Sequence, residues 1–115
     1  MTRDFANATC KALPCAQWSE PFGPGHDICK VAGKIFAAVG AQGVGVTVKC
    51  PDEETAEMLR AAGVARKAPY FHKSWVLVPF ETADAGEITH RIHVAYDTIR
   101  ASLPKKLQAT LPARP

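Results

Sequence analysis

The sequence lacks the features of a membrane protein and of a secreted one. No apolar run reaches the roughly 18–20 residues that a helix needs to cross a bilayer. The segment 1–7 carries Asp4 and no apolar stretch, so we expect no signal peptide and no membrane partner. A cytoplasmic protein is the resulting expectation. Its four cysteines should then be reduced thiols: Cys10, Cys15, Cys29 and Cys50.

The short motifs of common enzyme active sites are also missing. The chain contains no G-x-S-x-G, no Walker loop, no G-x-G-x-x-G and no H-E-x-x-H. The glycine-bearing stretch 40–45 joins two predicted strands, and no helix N-terminus follows it to hold a phosphate. The thiol of Cys50 and the ring of His72 are isolated candidates for reactive groups, and strand alternation favours a buried, structural Cys50. We therefore expect no catalytic residue, no cofactor and no enzyme.

Metal ligands are few and poorly spaced. The spacings nearest to a structural zinc pattern are those of Cys10 with Cys15 and of His26 with Cys29. A structural zinc site needs four ligands in paired short spacings, and no second pair is present. One further set shares a helix face at i, i+3 and i+7: His90, His93 and Asp97. We expect these three side chains to be solvated, and we predict no metal site.

Length and composition indicate one ordinary globular domain. The chain has 115 residues, of which 47% are hydrophobic and 22% charged, values typical of a folded domain with its own core. We expect a single domain over residues 1–111, a frayed tail over 112–115, and a monomer.

Hydrophobic periodicity and turn residues predict the order of helices and strands. Helices are predicted over residues 2–13, 51–62, 86–102 and 105–111, the second beginning at Pro51 and capped by Gly63. Strands are predicted over residues 27–32, 34–40, 44–50 and 75–80, with a further extended segment at 17–22 and an irregular segment at 64–71. The first two strands form a hairpin that turns at Gly33. Because the strands cluster, an α+β fold with helices packed on an antiparallel sheet is favoured.

The strand over 44–50 shows the clearest alternation. Val44, Val46 and Val48 should face the core, whereas Thr47 and Lys49 should face water. One covered face and one wet face are typical of an antiparallel sheet.

The positive charge is segregated along the chain, although the net charge is only +3. Acid-free blocks with several lysines or arginines lie between Asp27 and Asp52, between Glu57 and Glu81, and after Asp97. Such blocks can form one basic face that holds phosphates, or they can be scattered solvated side chains. Aromatic side chains that could stack on bases, Tyr70 and Trp75, lie within the middle block.

Several segments together resemble the MmcQ/YjbR family. They occur in the family order and span residues 13–107: Leu13-Pro14, Pro21-Phe22-Gly23-Pro24, residues 30–37, residues 46–50, Ala68-Pro69-Tyr70 with Lys73 and Trp75-Val76, Tyr96, and residues 103–107. The resemblance implies an α+β fold of the double-wing, frataxin-like kind and a DNA-binding role. Carried over by position, it singles out Lys30, Lys34, Lys49, Lys73, Lys105 and Lys106.

The resulting prediction is a non-enzymatic module that binds DNA weakly and without sequence specificity. The predicted nucleic-acid-binding residues are Lys30, Lys34, Lys49, Arg66, Lys67, Lys73, Lys105 and Lys106, with Tyr70 and Trp75 as stacking candidates. The alternative is a module for a protein or small-molecule ligand, with no role in nucleic-acid binding. Lysines on one convex face would favour DNA, whereas lysines scattered around an apolar pocket would favour the ligand.

Overall fold

The computed structural model describes residues 2–112 and Arg114. Its helices are α1 (Arg3–Lys11), α2 (Glu53–Ala61), α3 (Ala85–Ala101) and α4 (Lys105–Gln108). Its strands are β1 (Ala16–Ser19), β2 (Asp27–Val31), β3 (Lys34–Val39), β4 (Gly45–Lys49), β5 (Arg66–Lys67) and β6 (Trp75–Pro79). The predicted α+β class is confirmed. Two residues of the predicted tail, Ala113 and Pro115, lie outside the described residues.

Side-chain caps define where the three longer helices begin. The side chains of Thr2, Asp52 and Asp84 each accept a hydrogen bond from a backbone N–H in the first turn of α1, α2 and α3. Such bonds satisfy donors that have no partner within the helix. The prediction that α2 begins at Pro51 was wrong. The Asp52 carboxylate accepts a hydrogen bond from the backbone N–H of Thr55 and caps the helix, so Pro51 lies before the cap.

The six strands form one antiparallel sheet in the order β1-β2-β3-β4-β6-β5. The predicted hairpin of β2 and β3 is confirmed, with Val31 paired to Lys34 across a two-residue turn. Both turn residues, Ala32 and Gly33, have positive φ, which is the type I′ geometry that suits a twisted hairpin.

The helices cover one face of the sheet. Helix α1 packs on β1 and β2, α3 on β3 and β4, and α2 on β6 and β5. The buried side of the sheet carries the alternate residues Val46, Val48, Val76 and Val78. The ring of Tyr96 in α3 meets the ring of Phe36 edge to face at 5.4 Å. The residues of α3 that face the sheet are all buried: Ile88, Ile92, Ala95, Tyr96 and Ile99.

The opposite, helix-free face differs from the prediction of a wet surface. Thr47, predicted to face water, is only 7% exposed, whereas Val44, predicted to face the core, is 52% exposed. Strand β4 begins one residue after Val44, which lies in the β3–β4 loop. Thr47 lies inside the sheet between Ala38 and Leu77 on the neighbouring strands, and strand alternation alone does not predict how exposed such a residue is.

The segment 64–71, predicted to be irregular, contains the short strand β5. Arg66 pairs with Leu77 and Lys67 with Val76, so β5 closes one edge of the sheet. A two-residue strand has too few residues for a detectable alternation, and its pairing comes from the neighbouring β6. Within the described residues, no helix is long and apolar enough to cross a membrane.

A glycine at the start of β4 is required by close packing of two backbones. A Cβ on Gly45 would lie 2.4 Å from the carbonyl oxygen of Val78. We expect Gly45→Ala to lower the free energy of unfolding by about 1–3 kcal/mol, because the backbone must shift. The matched change Gly40→Ala meets no atom within 4 Å and should alter stability by less than about 0.5 kcal/mol. Urea unfolding of both variants measures this, and equal stabilities would contradict the close approach.

Candidate functional site

A cavity of about 610 Å³ lies on the helix-free face of the sheet. Its floor is a row of residues paired across four strands: Ile28, Ala38, Thr47 and Leu77. Residues paired in this way share one face of a sheet. The floor is therefore a continuous, mostly aliphatic surface, and the small side chain of Ala38 gives it depth.

Three loops form the walls of this cavity, which we call the sheet pocket. The β1–β2 loop contributes Phe22 and His26, the β3–β4 loop contributes residues 40–44, and the β5–β6 loop contributes Pro69, Tyr70 and Phe71. Most of the lining is apolar, and polar groups come from a few side chains: His26, Gln42, Thr47 and Tyr70. This composition is typical of a site for a small organic molecule.

The guanidinium of Arg3, in the first turn of α1, connects two of the wall-forming loops. It donates hydrogen bonds to the carbonyl oxygens of Gly25, Gly40 and Ala41, the last two at 2.6 and 3.0 Å. It also pairs with the carboxylate of Asp27 at 2.9 Å. One side chain thus holds the β1–β2 loop, the β3–β4 loop and the start of β2 together.

Asp27 is a buried acid whose charge is compensated on several sides. Its side chain is 5% exposed, and it accepts a hydrogen bond from the indole N–H of Trp18 at 2.8 Å. Burial alone would raise the pKa of Asp27. Hydrogen bonds from Asn7, Trp18 and Arg3, together with the charge of Arg3, outweigh burial and lower the pKa of Asp27 below its usual value.

The rim of the sheet pocket carries large apolar side chains that are exposed to solvent. Phe22 is 72% exposed and Tyr70 is fully exposed. Tyr70 also has a φ of +70°, a conformation that costs about 1–2 kcal/mol for a residue with a Cβ. Backbone strain at an exposed aromatic residue beside a cavity is one of the features found at ligand sites.

The predicted cationic residues are divided between different sides of the fold. Strand register places Lys30, Lys49 and Arg66 on the helix-free face, next to the floor of the sheet pocket. Lys34 and Lys67 lie on the helix side of the sheet, because their partners Val31 and Val76 belong to the core. The lysines and arginines of the acid-free blocks therefore do not form one convex basic surface.

The other residues predicted to bind nucleic acid lie away from the floor of the sheet pocket. Lys73 is in the β5–β6 loop, 3.9 Å from a carboxylate oxygen of Glu53, and Lys105 and Lys106 are exposed on α4. Of the two stacking candidates, Tyr70 is exposed and Trp75 is half-buried, its ring 4.8 Å from that of Phe71.

The two side chains considered as reactive groups, Cys50 and His72, lie in different surroundings. Cys50 is buried, and burial raises the pKa of its thiol. The Nε2 atom of His72 lies 3.4 Å from a Glu53 carboxylate oxygen.

The three side chains on one face of α3 that were considered as metal ligands are partly engaged in other contacts. Arg114 contacts two of them, His93 and Asp97. No group of three or more metal-ligating side chains occurs in the part of the chain that the structure describes.

The sequence reasoning missed the residues that build the sheet pocket. Phe22 has a local signal, because it lies in a turn rich in glycine and proline, and turns place their side chains at the surface. Arg3 has none, because the groups it binds lie 22–38 residues further along the chain.

The fold and the pocket define a class of protein, an α+β domain with helices on one face of an antiparallel sheet and a cavity on the other. The sequence profile of the YjbR family matches residues 11–98. The chain therefore belongs to the YjbR family, as its motifs predict. A solved structure, that of Deinococcus radiodurans protein DR2400 with its domain DUF419, has a TM-score of 0.83 with this chain. The two are 21% identical, and the match covers 94% of this chain and 86% of that one. At this identity the likeness establishes the fold. No curated protein matches the chain.

Removal of the Arg3 guanidinium tests its role in holding the loops. We expect Arg3→Ala to lower the free energy of unfolding at pH 7 by about 3–5 kcal/mol, because the Asp27 carboxylate stays buried without its cation. The exposed Arg66→Ala is the matched control and should change stability by less than about 0.5 kcal/mol.

The contribution of the Arg3–Asp27 ion pair to the free energy of unfolding depends on pH. The lowered pKa means that Asp27 stabilises the parent above its unfolded pKa of about 3.9, and that this stabilisation is lost as the pH falls through the folded pKa. The difference in stability between the parent and Arg3→Ala should therefore shrink as the pH falls from about 5 to about 2. A difference that is constant over this range in urea titrations would contradict the ion pair.

Proposed function

We propose that the chain is a non-enzymatic binding module whose sheet pocket takes a small, largely apolar molecule with an aromatic ring. The observation that carries this proposal is the cavity of about 610 Å³ on the helix-free face. Sites for small organic molecules commonly enclose about 300–1,000 Å³ and are lined mainly by apolar side chains. A folded domain of this size has no structural need for such a cavity beside a well-packed core.

The chemistry of the lining indicates what the ligand would be. The aliphatic floor offers no charge, and the rings of Phe22, Tyr70 and Phe71 at the walls favour a flat, aromatic partner through offset or edge contacts. The hydroxyl of Thr47 and the side chains of His26 and Gln42 are available to orient one or two polar groups. A neutral or weakly polar aromatic molecule fits this arrangement best.

The lining also supports a binding role over a catalytic one. Its titratable side chains are His26 and Tyr70, and neither pairs with a second acid or base among the described residues. General acid–base or nucleophilic catalysis requires such a pair within hydrogen-bond reach. The proposal therefore assigns the pocket to recognition.

A titration with N-phenyl-1-naphthylamine, a neutral aromatic fluorophore, tests the proposal. We expect saturable binding with a dissociation constant below about 0.2 mM, from roughly 0.3 kcal/mol per non-hydrogen atom. Ala38→Phe should abolish binding because its ring would fill the pocket above the floor. Tyr70→Gly should weaken binding by about 3–10-fold through loss of the ring without lowering stability, since glycine relieves the positive φ.

Matched controls separate this result from general effects. Ala101→Phe, at an exposed position of α3, should bind the fluorophore like the parent. Sedimentation of the complex should give one chain per particle. The proposal is contradicted if the fluorophore does not bind, if Ala38→Phe leaves its affinity intact, or if the fluorophore competes with formation of a dimer.

DNA is the second candidate ligand, and one observation favours it. Three of the predicted nucleic-acid-binding residues, Lys30, Lys49 and Arg66, share the helix-free face with the exposed ring of Tyr70. Cations beside exposed aromatic rings are the elements with which proteins hold nucleic-acid backbones and bases. Lys49 is partly engaged, because its ammonium group donates to the hydroxyl of Ser74.

The salt dependence of binding tests this second candidate. Three phosphate contacts should give a slope of log K against log salt of about −2.7, at roughly −0.9 for each contact with duplex DNA. Lys30→Ala should reduce the magnitude of the slope by about 0.9, whereas the control Lys106→Ala on α4 should leave it unchanged. Absence of binding at low salt, or an equal effect of the two substitutions, would exclude this face as a DNA site.

A further inference from the structure

A second, smaller cavity lies between the end of α2 and the β5–β6 loop. It has a volume of about 140 Å³ and is separate from the proposed ligand site, although Phe71 lines both. We call it the basic cavity, because its lining includes three cationic side chains: Arg60, Lys67 and Lys73. The rings of Phe71, His72 and Trp75 complete most of the remaining wall.

The positive charge of the basic cavity is only partly compensated. Glu53 is the acid nearest to it, with carboxylate oxygens 3.9 Å from Lys73 Nζ and 3.4 Å from His72 Nε2. Arg60 and Lys67 form no ion pair with any residue that the structure describes. Three cations and one carboxylate leave two positive charges without a partner, so the cavity would attract a dianion.

Two of the three cationic residues lie in regular elements, and the third, Lys73, lies in the β5–β6 loop. Arg60 lies in the last turn of α2 and donates from its guanidinium to the carbonyl oxygen of Lys73 at 3.2 Å. Lys67 is held in β5 by pairing with Val76. A guanidinium presents planar donors that match the oxygens of a phosphate.

We propose that the basic cavity is a binding site for a phosphoryl group, as inorganic phosphate or as the terminal monoester of a larger molecule. The cavity is large enough for one tetrahedral dianion and has two uncompensated charges to match it. Glu53 competes with the phosphoryl group, because its half-exposed carboxylate pairs with a cation that the phosphoryl group would otherwise contact. The residues that would bind the phosphoryl group, Arg60, Lys67 and Lys73, do not line the sheet pocket.

Titration with sodium phosphate at pH 7.5, followed by ¹H–¹⁵N NMR, tests the proposal. Ionic strength is held constant with sodium chloride. The chain has two tryptophans, so the indole N–H of Trp75 reports on the cavity while that of Trp18, on β1, is an internal control. We expect a saturable shift of the Trp75 signal with a dissociation constant on the order of 1 mM, and no shift of the Trp18 signal. Tighter binding of phenyl phosphate than of phosphate would identify the monoester as the source, and equal affinity would identify free phosphate.

Substitutions of opposite sign make the test specific. Lys67→Ala should weaken phosphate binding by about 5–10-fold, whereas Glu53→Gln should strengthen it by about 3-fold, because the competing carboxylate is removed. Lys106→Ala, which removes an equal charge on α4, should have no effect. The proposal is overturned if chloride alone produces the same shifts, if Lys67→Ala binds like the parent, or if Glu53→Gln binds more weakly. Because fluorophore binding reports on the sheet pocket alone, the two proposals fail independently.

Discussion

The contacts of the Arg3 guanidinium determine how the helix-free face is built. One side chain from α1 reaches past the end of the sheet, neutralises the buried Asp27 and donates to carbonyl oxygens in two separate loops. A buried carboxylate requires a partner of this kind. The carbonyl groups it binds belong to the loops that form two walls of the sheet pocket. The pocket is thus maintained by the same ion pair that permits Asp27 to be buried, which couples its shape to the stability of the domain.

The spacing of apolar residues predicts the helix-bearing half of the structure well, because the residues that face the core must recur at the period of their helix or strand. The stripe of α3 from Ile88 to Ile99, the alternation of Val46 and Val48, and the turn at Gly33 all follow from local spacing and turn chemistry. The other half depends on contacts that have no local pattern. Strand β5 is defined by its pairing with β6, and the cavity at Thr47 is walled by loops from three parts of the chain. A binary pattern distinguishes the two faces of a strand but does not reveal what lies over them.

The candidate site shows the same division between local pattern and spatial arrangement. Blocks of lysine in the sequence predict a basic protein surface, yet neighbouring members of a block point to different faces, as Arg66 and Lys67 do on β5. Other members of the same block, Arg60, Lys67 and Lys73, lie on different elements and meet at one cavity with aromatic walls. Both cavities border the β5–β6 loop, where Tyr70 has its unfavourable φ. Tyr70 combines this backbone conformation with a fully exposed ring at the rim of the proposed ligand site.

The central claim is that the sheet pocket is a preformed site for an aromatic ligand. A crystal structure of the protein with N-phenyl-1-naphthylamine tests it most directly, because the claim specifies where the ring must lie. The account predicts ring density over the floor formed by Ala38 and Thr47, with Tyr70 alongside and the contacts of Arg3 unchanged. Density at another surface, or a pocket filled by the side chains of Phe22 and Tyr70 with no ligand inside, would contradict it.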